Sequence, residues 1–517
     1  MIPTSNLATL LLHAAARLPD RPGLIRGDRA WSWSEIAERA RRAAGALGDL
    51  GVRPGERVLV HSRNSHRMFE SMWACWLLGA VWVPTNVRLS PPEVAYLAES
   101  SGAVAHLFDP AFPAHAEAAA TANPALRVQI SLDREWDTMA TAGPPVPAPA
   151  DVDRDHPCWF FYTSGTTGRP KAGILTHGQM AFVVTNHLAD LMPGLTERDA
   201  SLVVAPLSHG AGIHAVVQVA RAVPSVLTEG ERLDPAEVWA LVERHRVSNL
   251  FTVPTILTAL TRHEAVHRHD HSSLRYVIYA GAPMYRADQV HALRTLGPVL
   301  VQYFGLGEVT GNITVLPPHL HSADDDGPAP PGTCGVPRTG MDVAILSADG
   351  RRLPPGETGE ICVRGPAVFA GYHNNPDATA KAFRHGWFHT GDLGRLDERG
   401  FLFITGRESD MYISGGSNVY PREVEEALLL HPAVSEACVV GLPHPRWGEA
   451  GVAVLVLRPG EPAPDTELLA HLDGRLARYK WPARFAVWPE LPKSGYGKVV
   501  KTEVRRRLEA DGVTFAA

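Results

Sequence analysis

Cysteine and lysine are both scarce in this chain of 517 residues, which has five cysteines and six lysines among forty-nine basic residues. Cys75, Cys158, Cys334, Cys362 and Cys438 are widely spread and form no C-x-x-C pair. That argues against a cysteine-based metal site, offers no pairing pattern for a disulfide framework, and fits a reducing compartment. Positive charge is not in excess either. A net charge of −6 and an isoelectric point near 6.5 leave no electrostatic footprint for nucleic acid. Long hydrophobic runs are missing too: the densest, Met72–Pro84, falls short of the ~20 residues that cross a bilayer. Leu7–Ala16 is apolar, but no Lys or Arg precedes it, and Arg17, Pro19 and Asp20 follow where small cleavage residues would stand. It reads as an amphipathic first helix, not a signal sequence. These absences describe a cytoplasmic protein with no membrane span.

The remaining composition, 45% apolar and 20% charged, is that of an ordinary globular chain whose length calls for two or more domains. Its most informative stretch is Tyr162-Thr163-Ser164-Gly165-Thr166-Thr167-Gly168-Arg169-Pro170-Lys171. This stretch continues the apolar run Cys158–Tyr162, a buried-strand candidate, so the loop leaves a strand end, where open α/β sheets bind ligands. Glycines let backbone N–H groups approach phosphate oxygens, the hydroxyls of Thr163, Ser164, Thr166 and Thr167 add donors, and Lys171 adds charge. A Walker A loop is excluded, because the lysine follows Arg169-Pro170 and no Ser or Thr comes after it. A plain surface turn would share the Gly, Ser and Thr content. The lysine argues for the phosphate loop, since a chain this rich in arginine keeps a lysine where a compact, movable ammonium is needed.

Residues 31 to 104 alternate between helix-like and strand-like pieces. Ser34–Leu50 has helical spacing up to Gly51, Arg57–His61 is a strand candidate, Ser65–Leu78 reads as a helix and Ala80–Pro84 as a strand. The alternation predicts βαβ units and a largely parallel sheet. Ala140–Asp151, rich in Pro and Ala, reads as a connection. Strands are also predicted at Ser201–Val204 and Arg275–Tyr279, and close-set short ones at Val343–Leu346, Gly359–Val363 and Phe401–Ile404 predict a small β-rich lobe. Ser322–Thr333, with its aspartate triplet, reads as a solvated loop and not a metal site.

Tyr162–Lys171 resembles the signature loop of the adenylate-forming superfamily, which includes acyl-CoA synthetases, luciferases and peptide-synthetase adenylation domains. Seven stretches match in family order between about residues 10 and 510, and order and spacing together are far more specific than any one motif. The resemblance assigns His209, in Ala205–Gly212, to the acyl pocket, with Ser208 where the family has an aromatic. It lays Gly281 and Ala282, in Ala280-Gly281-Ala282-Pro283, against the adenine. In Gln302–Glu308 it assigns Tyr303 and Phe304 to the nucleotide, Gly305 and Leu306 with His209 and Gly281 to the acyl group, and Glu308 to Mg²⁺, for which a carboxylate is a fitting hard ligand. That motif departs from the family's Tyr-Gly-x-Thr-Glu. Phe304 keeps a ring for stacking without the phenolic hydroxyl. Gly307 replaces a threonine whose hydroxyl contacts the α-phosphate, and a turn that bends back would let Thr310 stand in for it. Asp392, in Trp387–Asp392, offers paired acceptors to the ribose diol, with Arg407 beside it. Gly406–Asp410 marks the pivot of the C-terminal domain, with Ser409 where relatives carry Asp or Lys. Ile413–Glu425 matches the segment that lines the pantetheine tunnel, and Pro421–His431 reads as a helix with proline and acids in its first turn. Lys498, in Pro492–Lys498, maps onto the adenylation lysine.

The fold so implied is α/β: a large N-terminal domain over residues 1–407 and a small mobile α+β domain over 408–517. The implied activity is attack of a carboxylate on the α-phosphate of ATP, release of pyrophosphate, and transfer of the acyl group to coenzyme A. Glu308 with Mg²⁺, residues Thr163 to Gly168 and Lys171 spread the phosphate charge, and Lys498 bridges the two reactants. Thr163, Lys171, Glu308 and Lys498 are thus the catalytic candidates. Other acceptors stay open, namely a carrier protein's pantetheine, or an aryl amine with nitrite as the activated acid. A homodimer also stays open. A lapsed nucleotide-binding relative would have lost Lys498, Glu308 or Asp392, and all three are present.

Overall fold

The computed structural model describes residues 6–163, 169–230, 232–282, 284–407, 410–415, 417–493 and 499–515. Four sheets organise them. The first runs Val128–Ser131, Ala105–Phe108, Arg57–His61, Val81–Pro84, Pro157–Thr163, Lys171–Thr176. Its strands are parallel up to the last pair, which is an antiparallel hairpin. The second has nine strands, and its parallel centre is Leu300–Phe304, Tyr276–Tyr279, Asn249–Thr252, Ser201–Val203, Ser225–Leu227. Parallel strands need crossover helices on both faces, which is why the alternation in the sequence announces them.

The helices follow from local signals. Ser65 caps His66–Leu78 by accepting from Met68 N, and Gly79 ends it in the left-handed region (φ 75°). Every residue from Met68 to Leu77 is buried, most of them apolar, with Glu70 and Ser71 buried among them. One continuous core gathers this helix, His177–Asp190, Gly210–Ala220 and strands of both sheets. The Ala140–Asp151 connection is shorter than its composition suggested. Ala140 to Ala142 are the last residues of the helix Arg134–Ala142, which is anchored by Trp136, whose Nε1 donates to the buried Glu70 carboxylate at 2.8 Å. Glu70 also takes Arg39 Nε at 2.6 Å.

The β-rich lobe is an antiparallel sheet of Asp342–Leu346, Gly359–Arg364, Phe383–Arg384, Trp387–Leu396 and Leu402–Arg407. Asp324, Asp325 and Asp326 are exposed. Beyond Arg407 a fourth sheet, built on the long hairpin Val434–His444 and Gly448–Leu457, packs the helix Pro421–Leu429 through Val424 and Leu428. All five cysteines are buried and free. Among the described residues no helix is long and apolar enough to cross a membrane.

Candidate active site

The hairpin of the first sheet sets Thr163 opposite Lys171 in register. Ser164, Gly165, Thr166, Thr167 and Gly168, which join them, lie outside the described residues. Thr163 Oγ1 donates to Glu308 Oε1 at 2.7 Å, and the Tyr372 hydroxyl donates to the same oxygen at 2.9 Å. Glu308 is buried in the 3-10 turn Gly307–Val309, which follows the strand Leu300–Phe304. Its backbone is pinned as well, because Phe369 N donates to Glu308 O at 2.8 Å while residues 370 to 373 lace along the strand Lys171–Thr176. That lacing brings the Tyr372 ring to 5.2 Å from Lys171 Nζ, a cation–π distance. Burial and the neighbouring Glu308 carboxylate push the Tyr372 phenol far above its ordinary pKa, so it stays a donor.

Gly307 has no room for a side chain. A Cβ there would sit 2.5 Å from Phe161 Cδ1 and 2.8 Å from Thr163 Cγ2. Phe161 therefore fills the space where the family's threonine would stand, and its ring meets His209 edge-on at 4.9 Å. Thr310 does not replace the missing hydroxyl. It is buried in the left-handed region (φ 50°), its Oγ1 donates to Val309 O at 2.7 Å and accepts from Asn312 Nδ2 at 3.0 Å, so the turn is closed on itself.

Strand alternation separates Tyr303 from Phe304. Phe304 is half-buried, whereas Tyr303, expected at the nucleotide, points into the core. There it stacks on His214 and Phe251, each at 5.9 Å, with Arg338 over its ring. Gly305 crosses tightly over the backbone of Gly311, and Leu306 packs at the edge of the core. Gly281 (φ 85°) and Ala282 follow the strand Tyr276–Tyr279, at the same strand-end edge of the sheet.

Asp392 and Arg407 face each other across neighbouring strands, with Nε to Oδ1 at 2.8 Å. The Asp392 carboxylate, aided by Asp410 and Glu308, raises the Arg407 pKa against the pull of burial. Thr163, Lys171 and Glu308 are therefore brought together around Tyr372, His209 joins through Phe161, and Asp392 and Arg407 form a pair of their own. Lys498, Ser409, Pro283 and Gly416 lie outside the described residues. Sequence reasoning missed Tyr372 and Phe161. Tyr372 reaches Glu308 from 64 positions away, and its only local mark is the preceding Gly371.

A family model described as AMP-binding enzyme matches residues 11–373, and one described as AMP-binding enzyme C-terminal domain matches residues 423–498. The chain is 39% identical over 510 residues to a feruloyl-CoA synthase of Amycolatopsis sp, covering 97% of this chain and 99% of that protein. It is 33% identical to a fatty acid–[acyl-carrier-protein] ligase of Streptomyces coeruleorubidus, covering 95% and 94% of the two chains. Among solved structures, the o-succinylbenzoate CoA synthetase of Bacillus subtilis in complex with its acyl-adenylate intermediate superposes with a TM-score of 0.86. It is 31% identical, with 98% and 99% of the chains covered.

Proposed function

The chain belongs to the AMP-binding enzymes, and from that premise we propose how it turns a carboxylic acid into an acyl-adenylate and hands the acyl group to coenzyme A. It is an AMP-forming acid–thiol ligase. The observation that carries the assignment of roles is the convergence of the Thr163 and Tyr372 hydroxyls on one oxygen of the buried Glu308 carboxylate, with the Lys171 ammonium over the Tyr372 ring. Such a site is organised before the substrate arrives, so no reorganisation is needed as charge develops at the phosphorus.

In the adenylation step an oxygen of the acid attacks the α-phosphorus and the bond to the bridging oxygen of pyrophosphate breaks. Lys171 and the donors from Ser164 to Gly168 hold the departing phosphates, Thr163 orients Glu308, and Lys498 bridges the carboxylate and the α-phosphate. Asp392 accepts from the ribose hydroxyls while Arg407 fixes its orientation. Phe304, Gly281 and Ala282 flank the base. Glu308 suits Mg²⁺: Oε1 already carries two hydroxyl donors, and no hydrogen bond reaches Oε2 from the described residues, which leaves a hard oxygen for the cation. Bound there, Mg²⁺ would offset the charge of the phosphates.

Rotation of the C-terminal domain, residues 408–517, then withdraws Lys498 and brings the hairpin Tyr412–Ser414 and Ser417–Val419 to the adenylate for thioester formation. The reaction runs in the cytoplasm, in keeping with five free buried cysteines. An aryl acid is the favoured substrate, supported by the feruloyl-CoA synthase relative. The test separates the half-reactions. Lys498→Ala should abolish pyrophosphate release from ATP and acid, yet leave thioester formation from supplied acyl-adenylate intact; equal loss of both would contradict the assignment of the lysine.

A further inference from the structure

The β-rich lobe carries a cluster that the ligase chemistry does not use. Glu360 and Cys362 stand two residues apart on the strand Gly359–Arg364, so the pleat turns their side chains to one face. His389, on the strand Trp387–Leu396, is the cross-strand partner of Cys362. A carboxylate oxygen, a ring nitrogen and a sulfur from these three residues all lie within 4.8 Å of one another. Cysteine spacing gives no sign of this cluster, because its members come from two neighbouring strands.

The hydrogen bonds around His389 do not close without a cation. Its Nε2 faces the carbonyl of Arg384 at 3.2 Å and must be the donor there. Its Nδ1 faces three groups at once: Glu360 Oε2 at 2.6 Å, Arg384 Nη2 at 3.1 Å and Cys362 Sγ at 3.3 Å. With no proton on Nδ1, the ring opposes the carboxylate, acceptor against acceptor. With a proton there, it opposes the guanidinium, donor against donor. A metal ion removes the conflict by taking a lone pair from each of the oxygen, nitrogen and sulfur. Arg384 also reaches Glu360 Oε2 at 3.2 Å, so its guanidinium sits where the positive charge of an ion belongs. Its side chain is 45% exposed and can turn to solvent.

The surrounding contacts support a ligand set. The Arg384 carbonyl fixes the tautomer that aims the Nδ1 lone pair at the cluster. Glu360 Oε1 is held by Gly391 N at 3.0 Å, which leaves Oε2 for the ion. The His389 side chain is 5% exposed and Cys362 is buried beside Leu346 and Trp387, so the sulfur side is dry. Zn²⁺, with sulfur at ~2.3 Å and nitrogen or oxygen at ~2.1 Å, spaces tetrahedral ligand atoms about 3.3–3.6 Å apart, so the side chains need to move by only about 1 Å.

We propose that Glu360, Cys362 and His389 bind one Zn²⁺, with water in the fourth position, at a site separate from the Mg²⁺ carboxylate Glu308. A thiolate and an imidazole select this cation over Mg²⁺. As it binds, the Cys362 thiol gives its proton to solvent and the sulfur forms the metal bond. The ion ties two strands of the lobe together, three residues from Asp392. The proposal stands independently of the ligase reading.

The test loads metal-stripped protein with Co²⁺, whose bond to a thiolate gives a charge-transfer absorption, and then with Zn²⁺ in competition with a chromophoric chelator. The wild type should bind one ion per chain and show the thiolate absorption, and Zn²⁺ should raise its urea midpoint. Cys362→Ala should remove the absorption and weaken Zn²⁺ binding by more than the ~10- to 100-fold that loss of a supporting contact costs. Should Cys362→Ala fail to fold, His389→Gln carries the same prediction for Zn²⁺ affinity. Arg384→Gln, which removes a competing charge, should tighten Zn²⁺ binding by about tenfold. Glu308→Gln should leave the absorption unchanged. A wild type without thiolate absorption would overturn the site, and so would absorption that survives Cys362→Ala or is lost in Glu308→Gln. Zn²⁺ affinity unchanged in His389→Gln would overturn it as well.

Discussion

Restoring the threonine that relatives carry at position 307 should damage this enzyme. The backbone at Gly307 is not in the left-handed region, so the obstacle is space. A new Cβ would lie 2.5 and 2.7 Å from Phe161 ring carbons and 2.8 Å from Thr163 Cγ2. Carbon atoms rest at about 3.5–4.0 Å, so the ring would have to yield by about 1 Å. It cannot do so freely, because Phe161 is buried between Trp159 and His209. Overpacking of this kind costs about 1–3 kcal/mol, partly offset by the ~0.4–1 kcal/mol gained when a glycine is removed from the unfolded chain. The displaced Thr163 would also loosen its bond to Glu308, and hydrogen bonds to charged groups are worth about 1.5–3 kcal/mol. Gly307→Thr should therefore lower the urea midpoint and slow pyrophosphate release by about 10- to 100-fold. Adding Phe161→Leu should relieve the crowding, giving a favourable coupling of about 1 kcal/mol in a double-mutant cycle. A neutral Gly307→Thr, or additivity within about 0.3 kcal/mol, would refute the view that Phe161 occupies the threonine's place.

Other perturbations test the remaining parts of the site. Glu308→Gln keeps an acceptor for Thr163 and Tyr372 but removes the charge, so adenylation should slow about 100-fold and need more Mg²⁺, read from initial rates across a Mg²⁺ titration. Tyr372→Phe removes one of the two donors on Glu308 and should slow adenylation by about tenfold with little change in the KM for the acid. Asp392→Ala should raise the KM for ATP by about 10- to 100-fold and free Arg407, while the KM for the acid stays near its wild-type value. Stability should fall in mild acid. Burial, chiefly, lowers His61 to about 4 and His106 and His214 to about 3. The unfolded chain takes up protons on these groups below pH 6.5 while the folded chain does not. Their contribution is complete above that value and is lost as the pH falls from 6.5 toward 4, at about 1.4 kcal/mol per histidine per pH unit. Urea midpoints at pH 7.5, 6 and 5 should fall in that order, and a flat profile would contradict it.

Much of this architecture is local in origin and so was legible. The strand end at Thr163 and the helix opened by Ser65 and ended by Gly79 follow from short stretches with known geometry, whereas the pairing of Asp392 with Arg407 needs two neighbouring strands. What stayed hidden depends on contacts distant in sequence. Tyr303 and Phe304 are neighbours, and only the sheet decides which of them turns to the core. Thr310 sits two residues from Glu308, yet a closed turn faces it away. Tyr372 joins the site because residues 370 to 373 run beside Lys171–Thr176, a pairing that no motif encodes. Phe161 belonged to an apolar run that read simply as a strand, and its role appears only beside the empty Cβ position of Gly307.

The central claim is that this chain makes an acyl-adenylate and passes the acyl group to coenzyme A. Pyrophosphate release from ATP-Mg²⁺ over a panel of aryl and aliphatic acids, with and without coenzyme A, tests it most directly. The account predicts release with aryl acids, strongly accelerated by coenzyme A, with the matching thioester seen by mass spectrometry. Release indifferent to coenzyme A, with no thioester formed, would contradict it and point to another acceptor, a carrier protein or an amine.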